Sequence, residues 1–106
     1  MPLGTIIAFR DDGGHPQAEL MLRNGDSVRV ECDRNGLTVT QVGMADKSVV
    51  IFEADPETVG HICAGLVASP RTINASPLRI LTSAMIQLGS VAELQAAFQQ
   101  AAAQIR

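Results

Sequence analysis

The chain predicts an α+β fold: an antiparallel meander of about five strands over residues 3–53, then three C-terminal helices packed on one face. Three observations predict it. Apolar residues recur at every second position before Asp55-Pro56 and at every third or fourth after it, which are the periods of strand and helix. Two Asn-Gly pairs, Asn24-Gly25 and Asn35-Gly36, separate alternating runs, and this is a strong hairpin signal because both residues tolerate positive φ. Capping signals punctuate the second half: Asp55-Pro56, Ser76-Pro77, and Ser90 followed by Glu93.

The strands are expected at Leu3–Phe9, Ala18–Leu22, Val28–Cys32, Leu37–Val42 and Ser48–Glu53. A three-residue loop at Arg23-Asn24-Gly25 sets Leu20 against Val28, Ala18 against Val30, and Glu19 against Arg29 as an opposite-charge pair. A two-residue loop there would slip the register by one and put Leu20 against Arg29. For the next hairpin a two-residue Asn35-Gly36 loop is expected, placing Cys32 opposite Val39 and Glu31 opposite Thr40.

One face then collects Ala18, Leu20, Val28, Val30, Cys32, Leu37 and Val39; the other collects Glu19, Arg29, Glu31, Thr38 and Thr40. The outer runs Ile6-Ile7-Ala8-Phe9 and Val49-Val50-Ile51-Phe52 are apolar on both sides. Such runs belong to strands covered on both faces, by a partner subunit or by a sheet wrapped toward a barrel.

The first helix starts at Asp55 and carries the stripe Val59, Ile62, Cys63, Leu66, Val67 before Ser69-Pro70 stops it. The second is expected at Leu78–Leu88, with Gly89 as a left-handed cap and an apolar arc wide enough for burial on more than one side. The third follows Ser90 with Val91, Leu94, Phe98, Ala101 and Ile105 at three-four spacing, docking on the domain's own core or offered to a second copy.

With 106 residues the chain reads as a single domain, residues 1–106. Phe9, Phe52 and Phe98 are its only aromatic residues, so the core must be aliphatic. A formal charge of -3 with scattered basic residues argues against nucleic acid and against an anionic membrane surface. No apolar run approaches the roughly 18 residues needed to cross a bilayer, and the N-terminus lacks a signal-peptide pattern. Cys32 and Cys63 do not make a secreted disulfide framework, so a cytoplasmic domain is expected.

The chemistry-bearing residues are sparse. Asp11-Asp12-Gly13-Gly14-His15 gathers two carboxylates and an imidazole, but Asp, Gly and Pro make loops for conformational reasons alone. His61 points away from the stripe of its helix, and the two cysteines sit on core-facing positions where a thiol acts as a small hydrophobe. No glycine-rich phosphate loop and no metal-ligand CxxC spacing occurs. Neither a cofactor nor a metal is expected, and catalysis is not the favoured reading.

The expected function is therefore a non-catalytic binding or interaction domain acting as a homodimer, with Val49, Ile51, Leu94 and Phe98 at the interface. The alternative is a small-molecule-binding protein or minor enzyme with an aliphatic pocket between sheet and helices. That pocket would be lined by Phe52, Cys63 and Met85, with Arg71 or Arg79 orienting a polar end of an apolar ligand. A protein partner would suit the same surplus of apolar surface.

Overall fold

The computed structural model describes residues 3–10, 15–43, 47–66 and 76–103. Five strands form one antiparallel sheet in chain order: β1 (Thr5–Arg10), β2 (Gln17–Met21), β3 (Ser27–Asp33), β4 (Gly36–Val42) and β5 (Ser48–Ala54). Three helices follow: α1 (Pro56–Leu66), α2 (Pro77–Met85) and α3 (Val91–Ala103). The fold is thus α+β, a meander and then helices. β1 and β5 lie at opposite margins of an open sheet rather than closing a barrel.

The first hairpin has the expected register, with Leu20 opposite Val28, Ala18 opposite Val30 and Glu19 opposite Arg29. Gly25 takes the left-handed conformation that its three-residue loop requires, at φ 97°. The Asp26 carboxylate accepts from Asn24 Nδ2 at 2.9 Å, and the Asn24 side-chain oxygen Oδ1 accepts from Asp26 N at 2.9 Å.

The second hairpin corrects the expected register by two residues. Cys32 pairs with Leu37, Glu31 with Thr38, and Asp33 with Gly36, so the loop is Arg34-Asn35 and not Asn35-Gly36. Gly36 opens β4 at φ 122°, where a Cβ would run into the Ala54 carbonyl oxygen. Asp33 holds the turn by accepting from Asn35 N at 2.8 Å. A two-residue shift leaves every side chain on its original face, because the strand period is two. All seven residues assigned to the core face are buried as a result.

α1 lies over β4 and β5, α2 over β2 and β3, and α3 over β5, with α1 touching both other helices. The core takes Leu20, Leu22, Val28, Val30 and Val39 from the sheet side and Ile62, Leu78, Leu81, Met85, Leu94 and Phe98 from the helices. Phe98 meets Phe52 edge-on, with ring centroids 5.4 Å apart and planes at 77°. Thr82 is the one buried polar residue among those described, and its hydroxyl donates to the Leu78 carbonyl at 2.9 Å.

Caps hold the helix starts. The Asp55 carboxylate accepts from Thr58 N at 2.7 Å, and Ser76 Oγ accepts from Arg79 N at 3.3 Å. Ser90 Oγ accepts from Glu93 N at 3.2 Å, while the Glu93 carboxylate reaches back to Gly89 N at 2.6 Å. α2 ends at Met85, three residues short of the expected Leu88, and its C-cap Ile86 is right-handed. Gly89 is therefore not a left-handed cap; Gly25 and Gly36 are the positive-φ glycines of the described residues. The freed residues 86–89 instead accept from the sheet: Gly4 N donates to Ile86 O at 2.7 Å and Asn24 N to Gly89 O at 3.0 Å. This link fastens the start of β1 and the first hairpin to the helical layer.

Candidate functional site

The surplus apolar surface foreseen on the outer strands is real, but it lies at open edges rather than under a second layer. Every residue of β1 is exposed. Around it Leu3, Ile6, Ile7, Phe9 and Met21 are 56, 40, 57, 36 and 40 % exposed. At the opposite edge Val49 and Val50 are 62 and 50 % exposed. Large apolar side chains scattered singly need no explanation, whereas a run of them along one edge strand does.

Pairing with β2 sets the two faces of β1. Ile6 lies opposite Leu20 and Phe9 opposite Ala18, on the helical face; Thr5, Ala8 and Arg10 lie opposite Met21, Glu19 and Gln17, on the open face. The register slips between Ile6 and Ala8, so Ile7 is an extra residue in a β-bulge. The guanidinium of Arg79, from α2, sits 5.2 Å from the centre of the Phe9 ring and covers part of that edge.

The β5 edge is built differently. Its own register slip falls between the Val39 and Thr40 pairings and leaves Ile51 as the extra residue. Gln95 of α3 donates to the Ile51 carbonyl at 2.9 Å, and Ile51, Phe52 and Ala54 pack half-buried against the core. A helix lying over the far half of β5 thus blunts that edge, while Val49 and Val50 stay open.

These positions sort the residues singled out from the sequence. Val49 is an accessible edge residue, but Ile51 is half-buried. Leu94 and Phe98 correct the interface expectation: both are 0 % exposed in the chain's own core and have no surface to offer a second copy. Of the supposed pocket, Met85 is wholly buried and Cys63 nearly so, Phe52 packs on Phe98, and Arg79 covers Phe9 outside the core. Arg71 lies outside the described residues, as do Asp11–Gly14 and Ile105.

Two of the surface hollows among the described residues lie elsewhere. One of about 270 Å³ is lined by Ala8, Phe9, Arg10, Gln17, Ala18 and Glu19, between β1 and β2. The other, about 400 Å³, lies beside the second hairpin among Asn35, Leu37, Thr38, Glu53, Ala54 and Asp55. Neither is lined by Phe52, Cys63, Arg79 or Met85.

Burial raises the Cys63 thiol to about 11, with a further contribution from Cys32, so at neutral pH it is protonated and a poor nucleophile. Its Sγ lies 4.0 Å from the Pro77 carbonyl oxygen. Hydrogen bonds from Thr58 hold Asp55 below the usual carboxylate range, as expected of a helix cap. No group of three or more His, Cys, Asp and Glu is placed to hold a metal among the described residues. Nor is any described helix long and apolar enough to cross a membrane.

Comparison with protein-family models, with curated proteins and with solved structures returned no match. Sequence reasoning missed the β1 patch as a site, naming only β5 residues from the strands. The signal was present in Ile6-Ile7-Ala8-Phe9, apolar on both sides, but the same pattern also describes a strand covered on both faces.

Proposed function

We propose that this chain is a cytoplasmic, one-domain, non-catalytic interaction module that works as a homodimer. The observation that carries the reading is β1, exposed along its whole length and lined by Leu3, Ile6, Ile7, Phe9 and Met21. The outer side of an edge strand is a template for another strand, and natural proteins blunt such edges unless they use them. Cys32 and Cys63 are buried thiols rather than halves of a disulfide, which supports a reducing compartment. Phe52, Cys63 and Met85 of the alternative small-molecule pocket serve instead in core packing, which favours the interaction reading over it.

The test is non-denaturing mass spectrometry across a dilution series, on the wild type and on Ile7→Lys. Ile7 is 57 % exposed, so the substitution leaves the core intact. A wild-type dimer mass and a monomeric variant with an unchanged melting temperature are expected. A wild type that stays monomeric at every concentration refutes the homodimer.

A further inference from the structure

We infer that β1 pairs with β1 of a second copy, antiparallel and overlapped along all six residues, to make one continuous ten-stranded sheet. This rests on the homodimer reading and adds the surface and the register.

The bulge is what permits the pairing. Two antiparallel strands related by a two-fold axis present the same face to the same side, so helical-face residues must pair with helical-face residues. A regular six-residue strand overlapped fully on itself fails this condition, because its first and last residues lie on opposite faces. In β1 the extra Ile7 resets the alternation: Thr5 and Arg10 both lie on the open face, and Ile6 and Phe9 both on the helical face. Full overlap then sets Thr5 against Arg10, Ile6 against Phe9 and Ile7 against Ala8 of the second copy, twice each. Slipping the pairing by one residue sets Ile6 against Ala8, or Ile6 against Arg10, and breaks the match.

Three further features favour this self-pairing of β1. Ile6 and Phe9 form an aliphatic–aromatic cross-strand pair on the helical side. The two Arg10 side chains lie five residues apart along the joined strands, about 17 Å, beyond the range of unscreened repulsion. Pairing of β1 with β5 would be head-to-tail and would build a ring or a filament rather than a two-fold dimer, and Gln95 already occupies the Ile51 carbonyl of β5. The apolar surface on and beside β1 is on the order of 400 Å² per copy, the size of a functional patch on a small monomer. Two such patches total about 800 Å², the range of weak, transient interfaces rather than stable ones, so the subunits exchange on mixing.

Exchange supplies the test. Thr5→Cys and Arg10→Cys are made separately, both at exposed positions, with one chain carrying a tag. They are mixed and oxidised beside a non-denaturing mass measurement. A cross-link joining one Thr5→Cys chain to one Arg10→Cys chain is expected, with neither variant cross-linking to itself. Like positions lie about 17 Å apart in this register, whereas a disulfide needs Cα atoms within roughly 7 Å. A dimer mass without that heterotypic cross-link overturns the β1 pairing and leaves the homodimer standing on another surface. Masses that climb beyond two overturn it in favour of head-to-tail β1–β5 growth. A monomer throughout overturns both readings and leaves the edge to a strand from another protein.

Discussion

Replacing Phe98 with alanine asks whether α3 belongs to its own chain's core or to a partner. The ring is 0 % exposed, lies edge-on to Phe52 at 5.4 Å, and sits beside Leu94, also fully buried. Truncating a buried phenylalanine removes its transfer free energy and leaves a cavity, about 4 kcal/mol in all. A folded chain of this size holds roughly 5–15 kcal/mol, so the variant keeps a folded state with much of its margin gone. With an unfolding entropy near 2.1 cal/mol/K per residue, the loss lowers the melting temperature by roughly 18 °C. Urea unfolding at two protein concentrations is the assay, with Phe52→Leu and the double variant closing a cycle whose coupling should be about 1 kcal/mol. A core role makes the loss the same at both concentrations. A loss below about 1.5 kcal/mol, or one that shrinks as the protein is diluted, would refute the packing argument and return α3 to the interface.

Three other outcomes follow from local geometry. Gly36→Ala should destabilise by about 3 kcal/mol and Gly25→Ala by about 1 kcal/mol, since both have positive φ but only Gly36 abuts the Ala54 carbonyl; equal losses in urea melts would contradict this. Cys63 keeps its proton in the fold to about pH 11 but loses it in the unfolded chain near 9.0, so stability should fall as pH rises between these values. Cys63→Ser or Cys63→Ala should flatten that alkaline limb of the unfolding curve, and an unchanged limb would show that Cys63 is not its source. Asp55 is shifted the opposite way, below 3.8, so its cap stabilises above that pH and fails as pH falls through the lowered value. Asp55→Asn should keep α1 capped while removing this acid sensitivity, and Asp55→Ala should lower the melting temperature at neutral pH.

Much of the architecture was legible because it depends on near neighbours. Alternation in residues 18–42 marked the buried face, and the charge match of Glu19 with Arg29 chose the three-residue first loop. Asp55, Ser76 and Ser90 announced helix starts that the hydrogen bonds bear out. The second hairpin was misread because Asn35-Gly36 is a strong turn signal on its own. Both the expected and the observed register bury the same faces, so patterning could not choose between them. Gly36 was needed one step later, where β4 passes against Ala54. The end of α2 was misread for a related reason: Ile86 and Gly89 lend their carbonyls to Gly4 and Asn24, and such long-range partners leave no mark in local sequence.

The candidate site divides along the same line. Sequence alone determined that the outer strands carry more apolar surface than one face can bury, through side-chain chemistry at period two. Whether that surface was covered or open depended on strand order, which places β1 and β5 at the margins. Tertiary packing then drew Leu94 and Phe98 inward and laid α3 along β5. The bulge at Ile7 decided which β1 residues share a face, since one extra residue reverses every side chain beyond it. Local sequence sets what a segment prefers; contacts between distant segments decide which edge is left for another strand.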